Sequence, residues 1–230
     1  MEGDFREDSN RFRDDNMSCS TNRNLSKIEV YYDGLCEPVN PGGIATYGFI
    51  IYDVSDPENK IKIHEDFGIA GAGCLGDDTT NNVAEYTALI KALEWLIQNN
   101  FSESSVEVKG DSQLSIRQLN GIYAVRSPRI IPLYNKVIQL AKKFRNIKFI
   151  WVPRELNEEA DRLSRIAYQE FVKKHRNLMR QYYAKYFITE KQRRYILFLA
   201  KKKKVKVEVD DFMTKREASK LIEKLLQNRF

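Results

Sequence analysis

From Met1 to Ser26 apolar positions are sparse and Asp, Arg, Asn and Ser prevail. Such a stretch cannot bury enough surface to offset the entropy of ordering, so residues 1–26 are expected to be disordered. From Lys27 to Asp33 the pattern changes. Ile28, Val30 and Tyr32 alternate with Glu29, Tyr31 and Asp33, the two-residue period of a half-buried strand. Gly34–Gly43, with two prolines and three glycines, reads as a turn-rich loop. Thr46–Asp53 and Lys60–Phe67 read as two further strands separated by the turn residues Asp56-Pro57-Glu58-Asn59. Gly68–Asn82 reads as a second loop. Ala84, Ala88, Leu89, Ala92, Leu93, Leu96 and Ile97 then form the apolar stripe of a helix. Val106–Lys109 predicts a strand, Ser112–Asn120 a short helix and Pro132–Phe144 another helix. Ile147–Val152 predicts a strand in which Ile147, Phe149 and Trp151 alternate with Lys148 and Ile150. Asn157 is placed to cap a long helix with the stripe Ala160, Leu163, Ala167 and Phe171. Three strands, a helix, a strand, two helices, a strand and a helix predict an α/β fold, a five-stranded mixed sheet flanked by helices.

The last segment has a different pattern. Thr189-Glu190-Lys191-Gln192 and Thr214-Lys215-Arg216-Glu217 each place a Thr three residues before Gln or Glu, the signature of a capping box. Each should start a helix of ~14 residues, and the two, joined by a basic linker at Lys201–Lys204 with Val205, Val207 and Val209, should form a small helical hairpin. The expected division is therefore a disordered segment 1–26, an α/β domain 27–175 and a basic C-terminal helical module 176–230.

Charge sharpens that division. The 230 residues carry a net +6, yet residues 171–230 hold 18 Lys+Arg against 6 Asp+Glu, a net +12. The preceding residues hold 20 basic and 26 acidic side chains, a net −6. A basic tail on an acidic body suits an anionic partner such as nucleic acid, and suits equally a solvated charged face. Tyr182, Tyr183, Tyr186 and Phe187 interleave with Lys185; they fit base stacking or an interface that docks the hairpin on the α/β domain. No run of apolar residues is long enough to cross a membrane, and no basic-then-apolar leader opens the chain. Cys19, Cys36 and Cys74 match neither a disulfide framework nor zinc spacing. These features suggest a cytoplasmic protein with free thiols.

Four acidic residues sit where hydrophobic patterning does not ask for them. Asp33 is expected at the end of the first strand, Glu85 in the first turn of the first helix, Asp111 directly after the fourth strand and Asp161 in the first turns of the last long helix. In an α/β sheet strand ends and helix starts converge at one edge. Four carboxylates gathered there would repel each other unless cations neutralise them, and hard divalent ions with oxygen ligands do so.

The surrounding residues carry a family resemblance. Asp33-Gly34-Leu35-Cys36 followed by Asn40-Pro41-Gly42-Gly43 resembles the opening strand and loop of ribonuclease H type I. Thr80-Asn81-Asn82-Val83-Ala84-Glu85 is similar to that family's Thr-Asn-Asn-x-x-Glu helix start, and Gly110-Asp111-Ser112-Gln113 to its Asp-Ser-Gln block. Trp151-Val152-Pro153-Arg154-Glu155 with Asn157-Glu158-Glu159-Ala160-Asp161-Arg162-Leu163-Ser164 resembles its closing strand, loop and helix. The likeness covers roughly Lys27 to Lys174. Other nucleases, integrases and Argonaute proteins share that fold but not the Thr-Asn-Asn-x-x-Glu block.

The resemblance implies hydrolysis of the RNA strand of an RNA–DNA hybrid by two-metal catalysis, leaving a 5′-phosphate and a 3′-hydroxyl. It implies Asp33, Glu85, Asp111 and Asp161 as ligands of two Mg²⁺, or Mn²⁺, ions. It also implies Cys36, Asn40, Gly42, Gly43, Thr80, Asn81, Asn82 and Gln113 as substrate-binding positions: amides and bare backbone reading 2′-hydroxyls, and Thr80 gripping a DNA-strand phosphate. A broader nuclease that also cuts double-stranded RNA is the alternative, and a catalytically silent hybrid-binding module is a more remote one. The chain departs from the family in three places. Asp78 stands where some members carry a phosphate-binding arginine. The loop before the last long helix holds Arg154 where many members carry a histidine, and Arg154 is expected to neutralise charge rather than carry protons. Gly121–Ile131, a short link, replaces a basic protrusion. The +12 tail is a candidate substitute for its phosphate contacts. It resembles a small Thr-Glu-x-Gln…Met-Thr-x-x-Glu-Ala-Ser-x-x-Ile helical module appended to other nucleic-acid proteins, a likeness that identifies no protein partner.

Overall fold

The computed structural model describes residues 26–227; the segment expected to be disordered therefore lies, but for Ser26, outside the described residues. Five strands form one sheet in the order β3-β2-β1-β4-β5. They are β1 (Lys27–Glu37), β2 (Ile44–Asp53), β3 (Ile61–Ala72), β4 (Ser105–Gly110) and β5 (Asn146–Trp151). The first three are antiparallel, and β4 and β5 run parallel to β1. Seven α-helices accompany the sheet among the described residues: α1 (Asn81–Gln98), α2 (Gln113–Leu119), α3 (Ile131–Ala141), α4 (Glu158–Lys174), α5 (Arg176–Tyr183), α6 (Glu190–Lys203) and α7 (Lys215–Gln227).

β2 is apolar at nearly every position and buried from Ile44 to Tyr52, because helices cover both of its faces. Phe49 and Ile51 join Val30, Tyr32, Leu89 and Leu93 in the core beneath α1, while Ile50 and Tyr52 pack on Leu163 of α4.

The strands outrun their sequence pattern at two points. Asp33 does not end β1: the strand continues through Gly34 to Glu37, pairing Gly34 with Tyr47 and Glu37 with Ile44. β3 likewise continues past Phe67 to Ala72, with Gly68 opposite Tyr47 and Ile69 opposite Thr46. Turn-favouring glycines are overridden there by backbone pairing across a long hairpin, which local propensity does not register.

Two capping boxes start the last helices. Gln192 N donates to Thr189 Oγ1 at 3.2 Å and Glu217 N to Thr214 Oγ1 at 3.1 Å, with Thr189 N and Thr214 N donating in return to Gln192 Oε1 and Glu217 Oε2. The lysines expected in the linker instead complete α6, and Lys204 closes it in a left-handed conformation at φ 56°. The tyrosine-rich segment supplies a helix the sequence pattern did not announce, α5, and it docks. Met179, Tyr183, Phe187 and Phe212 form a buried cluster with Ile44 and Ala72 at the sheet edge. The Tyr183 hydroxyl donates to Gly42 O at 2.9 Å and accepts from Cys74 N at 2.9 Å. Of the four aromatics, Tyr183 and Phe187 serve docking, whereas Tyr182 is exposed.

Candidate active site

β1 is the axis of the site. Alternation sends Tyr32 and Gly34 toward α1 and Asp33 toward α4. A Cβ at Gly34 would stand 2.3 Å from Glu85 N, so only glycine admits α1 at that approach. Glu85 thereby reaches the same cleft as Asp33, from the second turn of α1 rather than the first. Asp111 follows the end of β4, and Asp161 comes from the first turn of α4. All four carboxylates, with Cys36, Asn40, Asn81 and Arg154, line one cleft of about 720 Å³.

The carboxylates are held individually. Ser164 Oγ donates to Asp33 Oδ2 at 2.7 Å. Asn157 Nδ2 donates both to Asp111 Oδ1 and to Tyr32 O, each at 2.9 Å. Arg154 and Arg165 each bind Asp161 at 2.8 Å. Trp151, half-exposed rather than packed inward, donates from Nε1 to Asp111 O at 3.1 Å.

Burial, together with the charges of Asp111 and Asp161, pushes Asp33 up to about 7 despite the Ser164 hydroxyl. Burial, with the Asp33 charge behind it, pushes Glu85 up to about 8. Asp161 is also partly buried, but the hydrogen bonds from Arg165 and Arg154 outweigh that and hold it below the ordinary carboxylate value.

The donor set suits a hard divalent cation: every ligand candidate is a carboxylate oxygen. Glu85 Oε2 is buried with no hydrogen-bond partner, and two of the carboxyls are driven toward protonation by burial beside other carboxylates, a cost that a bound cation relieves. Among the described residues no three acidic, His or Cys side chains form a finished metal shell; Asp161 is instead turned onto its two arginines. Asp33, Glu85, Asp111 and Asp161 are the residues that could hold such a cation.

The remaining expected substrate positions divide. Asn40 Oδ1 accepts from Asn81 N at 3.3 Å, and Asn81 Oδ1 is buried without a partner. Cys36 is buried, its thiol donating to Val39 O at 3.3 Å. Thr80 caps α1 by accepting from Val83 N at 3.1 Å. Asn82 and Gln113, at the starts of α1 and α2, lie outside the cleft lining. Gly42 and Gly43 also lie outside it. Gly43 packs under Val39 O and Glu37 O, while Gly42, at φ +94°, turns the chain and holds Tyr183. Asp78, in the place of the missing arginine, pairs with Arg129 at 2.9 Å.

Sequence reasoning missed Arg165, left Ser164 in its motif without a task, and gave Asn157 the task of a cap. Asn157 precedes α4, but its side chain makes no capping bond and holds Asp111 instead. A polar residue before a helix signals a cap, and nothing local marks a partner 46 residues away.

Relatives place this geometry. A family model described as Reverse transcriptase-like matches residues 42–167, which include Glu85, Asp111 and Asp161. The N-terminal RNase H domain of a Mycobacterium tuberculosis protein, solved as a fusion with maltose-binding protein, is 31% identical with a TM-score of 0.56, covering 65% of this chain and 98% of that one. RNase H1 of Halobacterium salinarum is 30% identical with a TM-score of 0.54, covering 63% of this chain and 98% of that one. LC11-RNase H1, solved in complex with an RNA/DNA hybrid, is 34% identical with a TM-score of 0.54, covering 63% of this chain and 99% of that one. A curated bifunctional protein of M. tuberculosis is 34% identical over 125 residues, 54% of this chain. The match spans only 31% of that protein's length. The chain therefore belongs to the ribonuclease H family of enzymes.

Proposed function

We propose that this chain hydrolyses the RNA strand of RNA–DNA hybrids, leaving a 5′-phosphate and a 3′-hydroxyl. The observation that carries the reading is the convergence of Asp33, Glu85, Asp111 and Asp161 on one cleft, with Asp33 and Glu85 shifted toward protonation. Two divalent cations, when bound, would supply an activated water and stabilisation of the departing 3′ oxygen.

The chain's own residues orient that machinery. Asn157 fixes Asp111 against Tyr32 O, Ser164 fixes Asp33, and Arg154 and Arg165 hold Asp161 ionised. Arg154 is exposed and retains donors to meet a phosphate, but it cannot relay protons at neutral pH. The amides of Asn81 and Asn40, which line the cleft side by side, suit a 2′-hydroxyl, which donates as well as accepts and which DNA lacks. The hybrid-bound LC11-RNase H1 supports the same substrate class.

Incubation with labelled RNA–DNA hybrid, double-stranded RNA and double-stranded DNA in Mg²⁺ tests the reading. Cleavage confined to the RNA of the hybrid is expected. Cleavage of DNA, or none of the hybrid, overturns it, and efficient cutting of double-stranded RNA marks the broader nuclease.

A further inference from the structure

The carboxylate cleft has a wall that the ribonuclease H fold itself does not build. Besides residues of β1, α1, β4 and α4, it is lined by Lys185, Tyr186, Thr214, Lys215 and Arg216, all from the C-terminal module. Their positions are set by packing. Phe187 bridges to Thr214 in a short antiparallel pair, Ile188 N donates to Met213 O at 2.8 Å, and Phe187 and Phe212 stack edge-on in the cluster that includes Ile44. Arg216 is tied to Glu37 of β1 at 3.0 Å.

Charge distinguishes this wall from a bland cover. The cleft lining holds five acids (Asp33, Glu37, Glu85, Asp111 and Asp161) and five cations. Arg154 and Arg165 are engaged by Asp161, and Arg216 by Glu37. Lys185 and Lys215 are exposed and pair with no acid among the described residues; Lys185 lies over the Tyr186 ring at 5.0 Å. Two ammonium groups that pair with no acid among the described residues thus stand on the rim of a cleft whose floor is acidic. A polyanion approaching that floor needs cations beside it.

We propose that the C-terminal module is one wall of the substrate cleft, with Lys185 and Lys215 binding backbone phosphates of the nucleic acid that lies across the carboxylates. The assignment rests on the hybrid-hydrolase reading for its substrate but makes its own prediction about binding. Phosphate contacts of this kind are made equally in the ground and transition states, so their loss acts on KM and leaves kcat nearly unchanged.

The test uses the full chain carrying Lys185→Ala with Lys215→Ala. A control carries the same charge change on α6, Lys201→Ala with Lys202→Ala. All four lysines are exposed. Hybrid binding is measured by anisotropy without added divalent ion across a salt series, and cleavage is measured in Mg²⁺. The wall variant should bind about tenfold more weakly, with the slope of log affinity against log salt shallower by roughly 1–2 units. Its KM should rise in proportion and its kcat stay within about twofold. The control should match wild type. Equal affinity and slope in wild type and wall variant overturn the proposal, as does an equal loss in both variants. Wall-dependent binding by a wild-type chain that cleaves no hybrid sinks the hydrolase reading and leaves the wall standing.

Discussion

Removing divalent ions should make this protein's stability fall as pH rises through neutrality, and Asp33 should be a principal cause. The sign follows from the direction of the shifts. Asp33 and Glu85 are raised in the folded chain, to about 7 and about 8. Between the ordinary carboxylate range and those values the folded state binds more protons than the unfolded one, so raising the pH favours unfolding. The contribution is intact below about pH 4 and is lost by about pH 8. From about pH 5 to 7 Asp33 alone accounts for a little under two units, because it is half ionised at the upper end, about 2 kcal/mol at 1.36 kcal/mol per unit. At 2–4 °C per kcal/mol for a chain of this size, that lowers Tm by roughly 4–8 °C. Glu85 adds to it. His64, stacked on Trp95 and held below its ordinary value chiefly by burial, pulls the other way as it loses its proton.

Thermal unfolding in chelator at about pH 5 and about pH 8 measures the fall, and the same scans in millimolar Mg²⁺ should erase most of it, because a cation binding only the folded, ionised site restores stability. Asp33→Asn isolates the carboxyl from His64, since both proteins share the histidine. The variant should be more stable than wild type at about pH 8 in chelator, while losing at least ~10³-fold in hybrid cleavage. A variant less stable than wild type under those conditions, or a wild-type profile that Mg²⁺ does not change, would refute the electrostatic account of the site.

Three other outcomes are expected. Asn157→Ala removes the bonds to Asp111 and Tyr32 O; it should lower cleavage by about 10–100-fold and stability by about 2 kcal/mol, read by kinetics and chemical denaturation, and wild-type activity would show that Asp111 needs no such support. Tyr183→Phe deprives Gly42 O and Cys74 N of their shared partner; Tm should fall by roughly 2–6 °C, whereas an unchanged Tm would mean the C-terminal module is not held there. A single ribonucleotide within duplex DNA should be cut poorly beside a continuous hybrid, because the amides proposed to read 2′-hydroxyls, Asn40 and Asn81 among them, would address several consecutive ribonucleotides, and equal rates would refute recognition of a run.

Two of the candidate carboxylates were legible in short blocks because they sit at element boundaries. Asp111 follows a strand and Asp161 opens a helix, and such boundaries leave local marks in turn and cap residues. What was not legible depends on distant pairing. The extension of β1 past Asp33 is written in its register with β2, Leu35 opposite Thr46 and Cys36 opposite Ala45, not in its own glycine-led sequence. α5 lacks a long apolar stripe, and its tyrosines were equally suited to stacking on bases until the cavity beside Gly42 and Cys74 took Tyr183. Trp151 read as one more residue of an alternating strand, whereas its indole N–H holds the backbone of Asp111.

The deeper reason the site exists at β1 lies in two residues that carry no functional group. Gly34 and Gly48 belong to neighbouring strands and to opposite faces of the sheet. At Gly34 a Cβ would collide with Glu85 N at 2.3 Å; at Gly48 it would meet Leu163 Cβ and Ser164 N at 2.6 Å. Each glycine therefore lets one helix settle onto the sheet, α1 on one side and α4 on the other. α1 brings Glu85, and α4 brings Asp161 together with Ser164, the hydroxyl that holds Asp33. Asp33 is paired in register with Gly48 and directly precedes Gly34, so it lies where the two close approaches meet. The burial that chiefly lifts Asp33 and Glu85, with the neighbouring carboxylates adding to it, is the electrostatic consequence of that packing. A substitution at either glycine would act on catalysis by moving a helix, with every carboxylate still in the sequence.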